Sequence, residues 1–190
     1  MRIVGGTHRG RTINAPKGLI ARPTTDRVRE ALFSILTSRD DVNFDGARII
    51  DLFAGSGALG LEAMSRGGQF CLFVEENAAA RGAIRENADT LGLVGTTRIH
   101  RRSAISLGIR PSSAGEPFSM AFLDPPYDEG LATEALNGLR DGAWLKAGAI
   151  IIIEQGAKET PADAVGVDEL DRRIYGDTQI GIYKFNGKDS

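Results

Sequence analysis

An α/β fold built on a mostly parallel sheet is predicted for this 190-residue chain by three observations. Short apolar runs alternate with helix-like stretches from Arg48 to Glu154. A glycine-rich turn joins the first of these runs to the helix after it. The last two extended runs flank Gly176-Asp177-Thr178 and read as an antiparallel hairpin. When a helix follows each strand, the chain returns to the same end of the sheet, so the strands lie parallel with helices on both faces.

The chain opens with Arg2-Ile3-Val4, then Gly5-Gly6 and Gly10. This reads as a short β-hairpin over residues 2–13, because glycine accepts the positive φ of tight turns. Pro16 to Pro23 is a linker. Thr24 or Thr25 can cap a helix whose apolar positions Val28, Ala31, Leu32, Ile35 and Leu36 follow one helical face. Arg27, Glu30 and Ser34 mark its other face. Strands are expected over Arg48–Phe53, Phe70–Val74, Thr97–Arg101, Phe118–Leu123 and Ala149–Glu154. Helices are expected from Gly57 to Ser65, Ala78 to Leu91 and Gly130 to Leu139. Gly, Pro and Ser make 108–117 a loop, and Arg172–Tyr175 with Gln179–Phe185 form the terminal hairpin. The expected division is an N-terminal hairpin and linker, 1–23, and a main domain, 24–190.

This length buries a core without disulfides or a structural metal. The single cysteine, Cys71, lies in an apolar run and reads as a buried structural thiol. His8 and His100 are far apart, and no His/Cys/Asp cluster has metal-ligand spacing, so no metal is expected. Trp144 reads as a packing residue. No signal peptide and no apolar run near membrane-spanning length is visible, so a cytoplasmic protein that meets no membrane is expected, and nothing demands more than a monomer. The net charge is only −2, but residues 1–39 hold eight Lys/Arg against Asp26 and Glu30, a local +6. A basic end on an acidic body fits a face that meets phosphate. Arg2, His8, Arg9, Arg11, Lys17, Arg22 and Arg27 are the expected nucleic-acid contacts. Arg27 and Arg29 could instead pair with Glu30 or Asp26 along the helix.

Gly55-Ser56-Gly57-Ala58-Leu59-Gly60 fits G-x-G-x-x-G between a strand and a helix. Such a loop lets a ligand approach the backbone and meet the free N–H groups of the helix N-terminus. By itself it would equally suit NAD or a plain tight turn. Asp51, at the end of the strand, could face a cationic amino-acid moiety. An acid ending the next strand, Glu75 or Glu76, could accept bonds from both ribose hydroxyls, and Glu75 is preferred because it directly follows Val74. Phe53, Ala54, Gly55, Ser56 and Gly57 complete the expected cofactor contacts.

Asp124-Pro125-Pro126-Tyr127 follows the strand Phe118–Leu123. Ligands of open α/β sheets bind beyond the carboxyl ends of strands, so this tip and the glycine loop are expected to share one cleft. An exocyclic base amine is a poor nucleophile, because its lone pair is delocalised into the ring. If Asp124 and the Pro125 carbonyl each accept one of its N–H groups, the nitrogen gains electron density and its lone pair is aimed. The two prolines stiffen the turn, and Tyr127 would stack on a base that has left its helix or come from a loop.

These residues resemble the RsmD-type bacterial 16S rRNA guanine-N2 methyltransferases over nearly the whole chain. The resemblance runs through Arg2-Ile3-Val4-Gly5-Gly6, Arg22–Glu30, Asp51–Ala63, Asp124–Tyr127 and Tyr175-Gly176-Asp177-Thr178. The Arg22–Glu30 block is the most particular. The resemblance implies S-adenosylmethionine as cofactor, one guanine of 16S rRNA as target, and a class I, Rossmann-like sheet of seven strands with an N-terminal hairpin. It further implies action on assembled or partly assembled 30S subunits. Related enzymes often place an Asp before Ala after the third strand, as a contact to the adenine amino group. Here Ser103 precedes Ala104, and its hydroxyl or a nearby backbone group stands in that role. Asn77, where an Asp is frequent, still caps a helix. Two other readings keep the same motifs: an adenine-N6 or protein-glutamine methyltransferase, and a non-catalytic RNA-binding module.

Overall fold

The computed structural model describes residues 1–16, 26–127 and 129–187. Lys17, Arg22, Thr24 and Thr25 lie outside the described residues, as does the expected boundary after Pro23. The chain forms two compact units, Met1–Arg101 and Arg102–Ser190.

The first unit opens with the N-terminal hairpin. One antiparallel bridge joins Arg2 to Thr12, with Ile3 N–H donating to the Arg11 carbonyl at 3.0 Å and Ile13 N–H to that of Met1 at 3.0 Å. Ile3 and Ile13 are buried. Helix α1 runs Asp26–Thr37. Its buried face is Arg29, Leu32, Phe33 and Leu36, whereas Val28, Ala31 and Ile35 of the expected stripe are half-buried. The face is turned toward Phe33 because that ring meets Phe44 at 5.8 Å and the Arg66 guanidinium at 5.0 Å. Arg29 does not face solvent as an RNA contact would; its Nη2 donates to the Arg2 carbonyl.

Strands β1 (Arg48–Leu52), β2 (Phe70–Val74) and β3 (Thr97–His100) are parallel, in the order β3-β2-β1. Ile49 is level with Cys71, and Val74 with His100. Each is a near-continuous apolar run, as expected of strands covered on both sides. Helix α2 (Ala58–Ser65) follows β1, and α3 (Ala78–Thr90) follows β2. Asn77 caps α3 as expected, its Oδ1 accepting the N–H groups of Ala79 and Ala80 at 2.8 and 3.1 Å. Cys71 is fully buried, and burial pushes its thiol well above the usual range.

The second unit holds β4 (Phe118–Leu123), α4 (Leu131–Asp141), β5 (Leu145–Gly156), β6 (Val167–Tyr175) and β7 (Thr178–Phe185). Its strands lie in the order β4-β5-β7-β6. β4 and β5 are parallel, and β7 runs antiparallel to β5 and β6. Two strands are several residues longer than expected, and β7 gains Thr178. β5 begins at Leu145, because the β4–β5 register shifts between Phe118 and Met120 and takes Lys146-Ala147-Gly148 into the strand. β6 begins at Val167. It is an edge strand whose charged residues Asp168, Glu169, Arg172 and Arg173 hide the strand pattern. Trp144 is buried, stacked on Phe118 at 6.2 Å, and its indole N–H donates to the Gly108 carbonyl at 2.8 Å. Both units together supply seven strands among the described residues, in the directions the sequence predicts. No helix there is long and apolar enough to cross a membrane.

Candidate active site

In the first unit the chain leaves β1 through a turn that L-residues resist. Phe53 has φ 58°, Gly55 56° and Gly57 78°. A bulky residue in the left-handed region carries local strain, which surrounding bonds must hold in place. Gly57 N–H closes the turn on the Ala54 carbonyl at 2.6 Å, and Ala54 N–H reaches the Val74 carbonyl at 3.3 Å. Gly57 precedes α2 without a side-chain cap, so the helix N-terminus is not shielded by one. Gly60 packs closely: a Cβ there would lie 2.5 Å from Phe73 Cε1 and 2.7 Å from Cys71 Sγ. The third glycine of the motif therefore sets how closely α2 lies on β1 and β2.

Two acids bracket this loop. Asp51 is 1% exposed, and its Oδ2 accepts the Gly60 N–H at 2.9 Å. Burial pushes its carboxyl up to about 8; the Gly60 bond opposes this and the charge of Glu75 adds to it. Glu75 stands just past β2, half-buried. One oxygen accepts Gly55 N–H at 2.9 Å and the other Asn77 N–H at 2.7 Å. Each carboxylate oxygen keeps a further lone pair for a ligand hydroxyl. Glu76 is exposed, and its carbonyl, like that of Glu75, accepts from the buried Arg81 guanidinium. Past β3, Ser103 is half-buried and Ala104 buried.

In the second unit Asp124-Pro125-Pro126-Tyr127 emerges from the carboxyl end of β4. Asp124 and Tyr127 are half-buried, Pro125 is buried and Pro126 exposed. The Tyr127 hydroxyl donates to Glu154 Oε1 at 2.9 Å and lies 2.8 Å from the Thr178 hydroxyl. Glu154 ends the apolar part of β5, and Thr178 opens β7. Burial raises the Tyr127 hydroxyl well above its usual pKa; the Thr178 bond lowers it and the charge of Glu154 adds to the rise. The phenol thus stays protonated, and its ring is pinned at the tip.

A family model described as "Conserved hypothetical protein 95" matches residues 1–184. The chain is 41% identical over 154 residues to "Ribosomal RNA small subunit methyltransferase D" of Escherichia coli, covering 81% of this chain and 74% of that protein. It is 35% identical over 188 residues to "Putative rRNA methyltransferase YlbH" of Bacillus subtilis, covering 98% and 100%. Among solved structures, "Putative methyltransferase yhhF" of Escherichia coli matches with TM-score 0.83 and 35% identity over 99% of both chains. The chain belongs to the ribosomal RNA small subunit methyltransferase D family.

Within this family member, Asp51, Phe53–Gly57 and Glu75 gather around one turn in the first unit, while Asp124–Tyr127 form the tip of β4 in the second. Of the expected RNA contacts, Arg2, Arg9, Arg11 and Arg27 are exposed and His8 is half-buried. Arg11 Nη2 also donates to the Thr90 carbonyl at 2.7 Å, at the end of α3. Several residues around the candidate site escaped sequence reasoning. Glu62 and Ser65 of α2 hold the hairpin: Glu62 Oε2 accepts Val4 N–H at 2.7 Å, and Ser65 Oγ accepts His8 N–H at 2.9 Å and donates to the Gly5 carbonyl. Asn87, Arg81 and Glu154 were also missed. Polar residues within helices or ending strands read as solvent-facing when nothing local gives their partners. Thr178 carried a signal, since it ends the Tyr175–Thr178 block.

Proposed function

We propose that this protein methylates the exocyclic N2 of a guanine in 16S rRNA, using S-adenosylmethionine. Homology to small subunit methyltransferase D carries this reading, and the family model that matches residues 1–184 spans the glycine loop, the Asp124–Tyr127 tip and the basic N-terminus.

The residues fit the cofactor. The uncapped start of α2 beside two positive-φ glycines leaves room for a ligand near the backbone. Glu75 retains acceptor capacity for ribose hydroxyls, and Gly55, Ser56 and Gly57, with Phe53 and Ala54, line the approach. Asp51, buried with its pKa raised to about 8, becomes a carboxylate beside the cationic amino-acid moiety, whose charge favours the ionised form. Ser103 and Ala104 take the adenine side, and Glu76 lies next to Glu75 on the ribose side. When bound, S-adenosylmethionine supplies a methyl group on a sulfonium, already a good electrophile.

The protein's own work is then to prepare the nucleophile. Asp124 and the Pro125 carbonyl accept the two N–H groups of the guanine amine, which raises electron density on nitrogen and directs its lone pair. Pro125 and Pro126 keep that turn stiff. Tyr127 stacks on the base, its hydroxyl held by Glu154 and Thr178. Arg2, His8, Arg9, Arg11 and Arg27, with Lys17 and Arg22, meet the RNA backbone. The small subunit, assembled or partly assembled, is the proposed partner of a cytoplasmic, monomeric enzyme whose hairpin and linker, 1–23, serve as its RNA-contacting part.

Asp124→Ala tests the mechanism. It should bind cofactor as the wild type does and lose turnover by about two orders of magnitude or more. Wild-type methylation by the variant would sink the proposal. Nucleosides from treated particles should contain N2-methylguanosine; N6-methyladenine there instead would assign the adenine reading.

A further inference from the structure

Asn87 lies in the last turn of α3, 1% exposed, where a polar amide has no local reason to be buried. Its side chain bonds residues far along the chain. Oδ1 accepts the N–H of Asn14 at 2.7 Å, and Nδ2 donates to the Asn14 carbonyl at 2.9 Å. Nδ2 also donates to the Ser56 carbonyl at 2.9 Å. A primary amide has two N–H donors and one carbonyl oxygen, so both donors and the oxygen are in use. One side chain thus grips the backbone just after the N-terminal hairpin and the middle peptide of the glycine loop.

The placement on Ser56 matters because Ser56 sits between two glycines at positive φ, 56° and 78°. Peptides flanked by such glycines rotate easily, so a buried bond to the Ser56 carbonyl fixes the plane of that peptide. The same amide sets the position of Asn14, and Asn14 N–H has Asn87 as its acceptor. We propose that Asn87 is a positioning residue that ties the hairpin segment to the cofactor loop, so that filling the loop with S-adenosylmethionine also steadies residues 11–16. The idea rests on the proposed function, which assigns cofactor to the loop and RNA to the hairpin. Linkage is reciprocal, so an RNA-engaged hairpin favours the cofactor-binding form of the loop by the same factor.

Hydrogen exchange on the intact wild-type protein, with and without saturating S-adenosylmethionine, tests this directly. Peptides over 51–60 and over 11–16 should both slow, and both by more than the β6–β7 hairpin. In Asn87→Ala the 51–60 peptides should still slow on cofactor addition while 11–16 no longer respond, and cofactor affinity should fall about tenfold by calorimetry. Protection of 51–60 alone in the wild type, or an unchanged response of 11–16 in the variant, overturns the coupling and leaves the cofactor site standing. No protection of 51–60 in the wild type overturns the cofactor site and the coupling together. If Asn87→Ala does not fold, the wild-type comparison decides alone.

Discussion

Asp51 carries a carboxyl group into the packed layer between β1 and α2, where its Oδ2 accepts the Gly60 N–H. Its pKa is raised from 3.8 to about 8, with burial the largest cause. The folded protein therefore holds this proton more tightly than the unfolded chain does. The stabilisation is complete below about pH 4, and it is lost as pH rises through about 8. Asp51→Asn keeps an oxygen for Gly60 and removes the titration. Its melting temperature relative to wild type should rise between about pH 5 and about pH 9. Parallel melting curves across that range would contradict the raised pKa. Burial acts the same way on Tyr127: it keeps the phenol protonated, so that the hydroxyl can donate to Glu154.

At the scale of elements, the α2 contact turns on Gly60. Alanine is the better helix former by about 1 kcal/mol, which alone would favour Gly60→Ala. The new Cβ would meet the Phe73 ring at 2.5 Å, Cys71 Sγ at 2.7 Å and Asp51 Oδ2 at 3.0 Å. Overpacking of this kind costs about 1–3 kcal/mol, so the clash outweighs the propensity. Gly138 of α4 has nothing within 4 Å of its would-be Cβ. Gly60→Ala should lower the urea midpoint and Gly138→Ala should raise it. A rise in both would mean that α2 shifts without cost. The same contrast explains which elements were legible. β1, β2 and β4 are apolar runs with turns at their ends, and they were located to within a residue. β6 is a charged edge strand, and half of it was missed.

For the whole molecule, the sequence property with the widest reach is its charge asymmetry. The first 39 residues carry +6 within a chain of net −2. Binding to phosphate releases counterions, so affinity for rRNA should fall steeply with salt. Exposed Arg9 is the cleanest probe, because Arg11 also binds the end of α3. Arg9→Ala should weaken RNA binding and reduce the slope of log affinity against log salt by about one. An unchanged slope would remove Arg9 from the RNA surface. Arg29 belongs to the same basic block, yet it is buried and bonds the Arg2 carbonyl, so charge alone does not separate phosphate contacts from packing.

The sequence by itself determined the α/β alternation, the glycine loop, the Asp124–Tyr127 tip, the Asn77 cap and the terminal hairpin. Each is written in local periodicity or turn chemistry, where the residues that decide the outcome are neighbours in the chain. Tertiary structure decided which face of α1 is buried, the raised pKa of Asp51, the Glu62 and Ser65 grip on the hairpin, and the double hold of Asn87. Those depend on partners far along the chain, such as Asn14 and Asn87, 73 residues apart. A side chain's burial and its hydrogen-bond partner are properties of the packed molecule, and no local pattern records them.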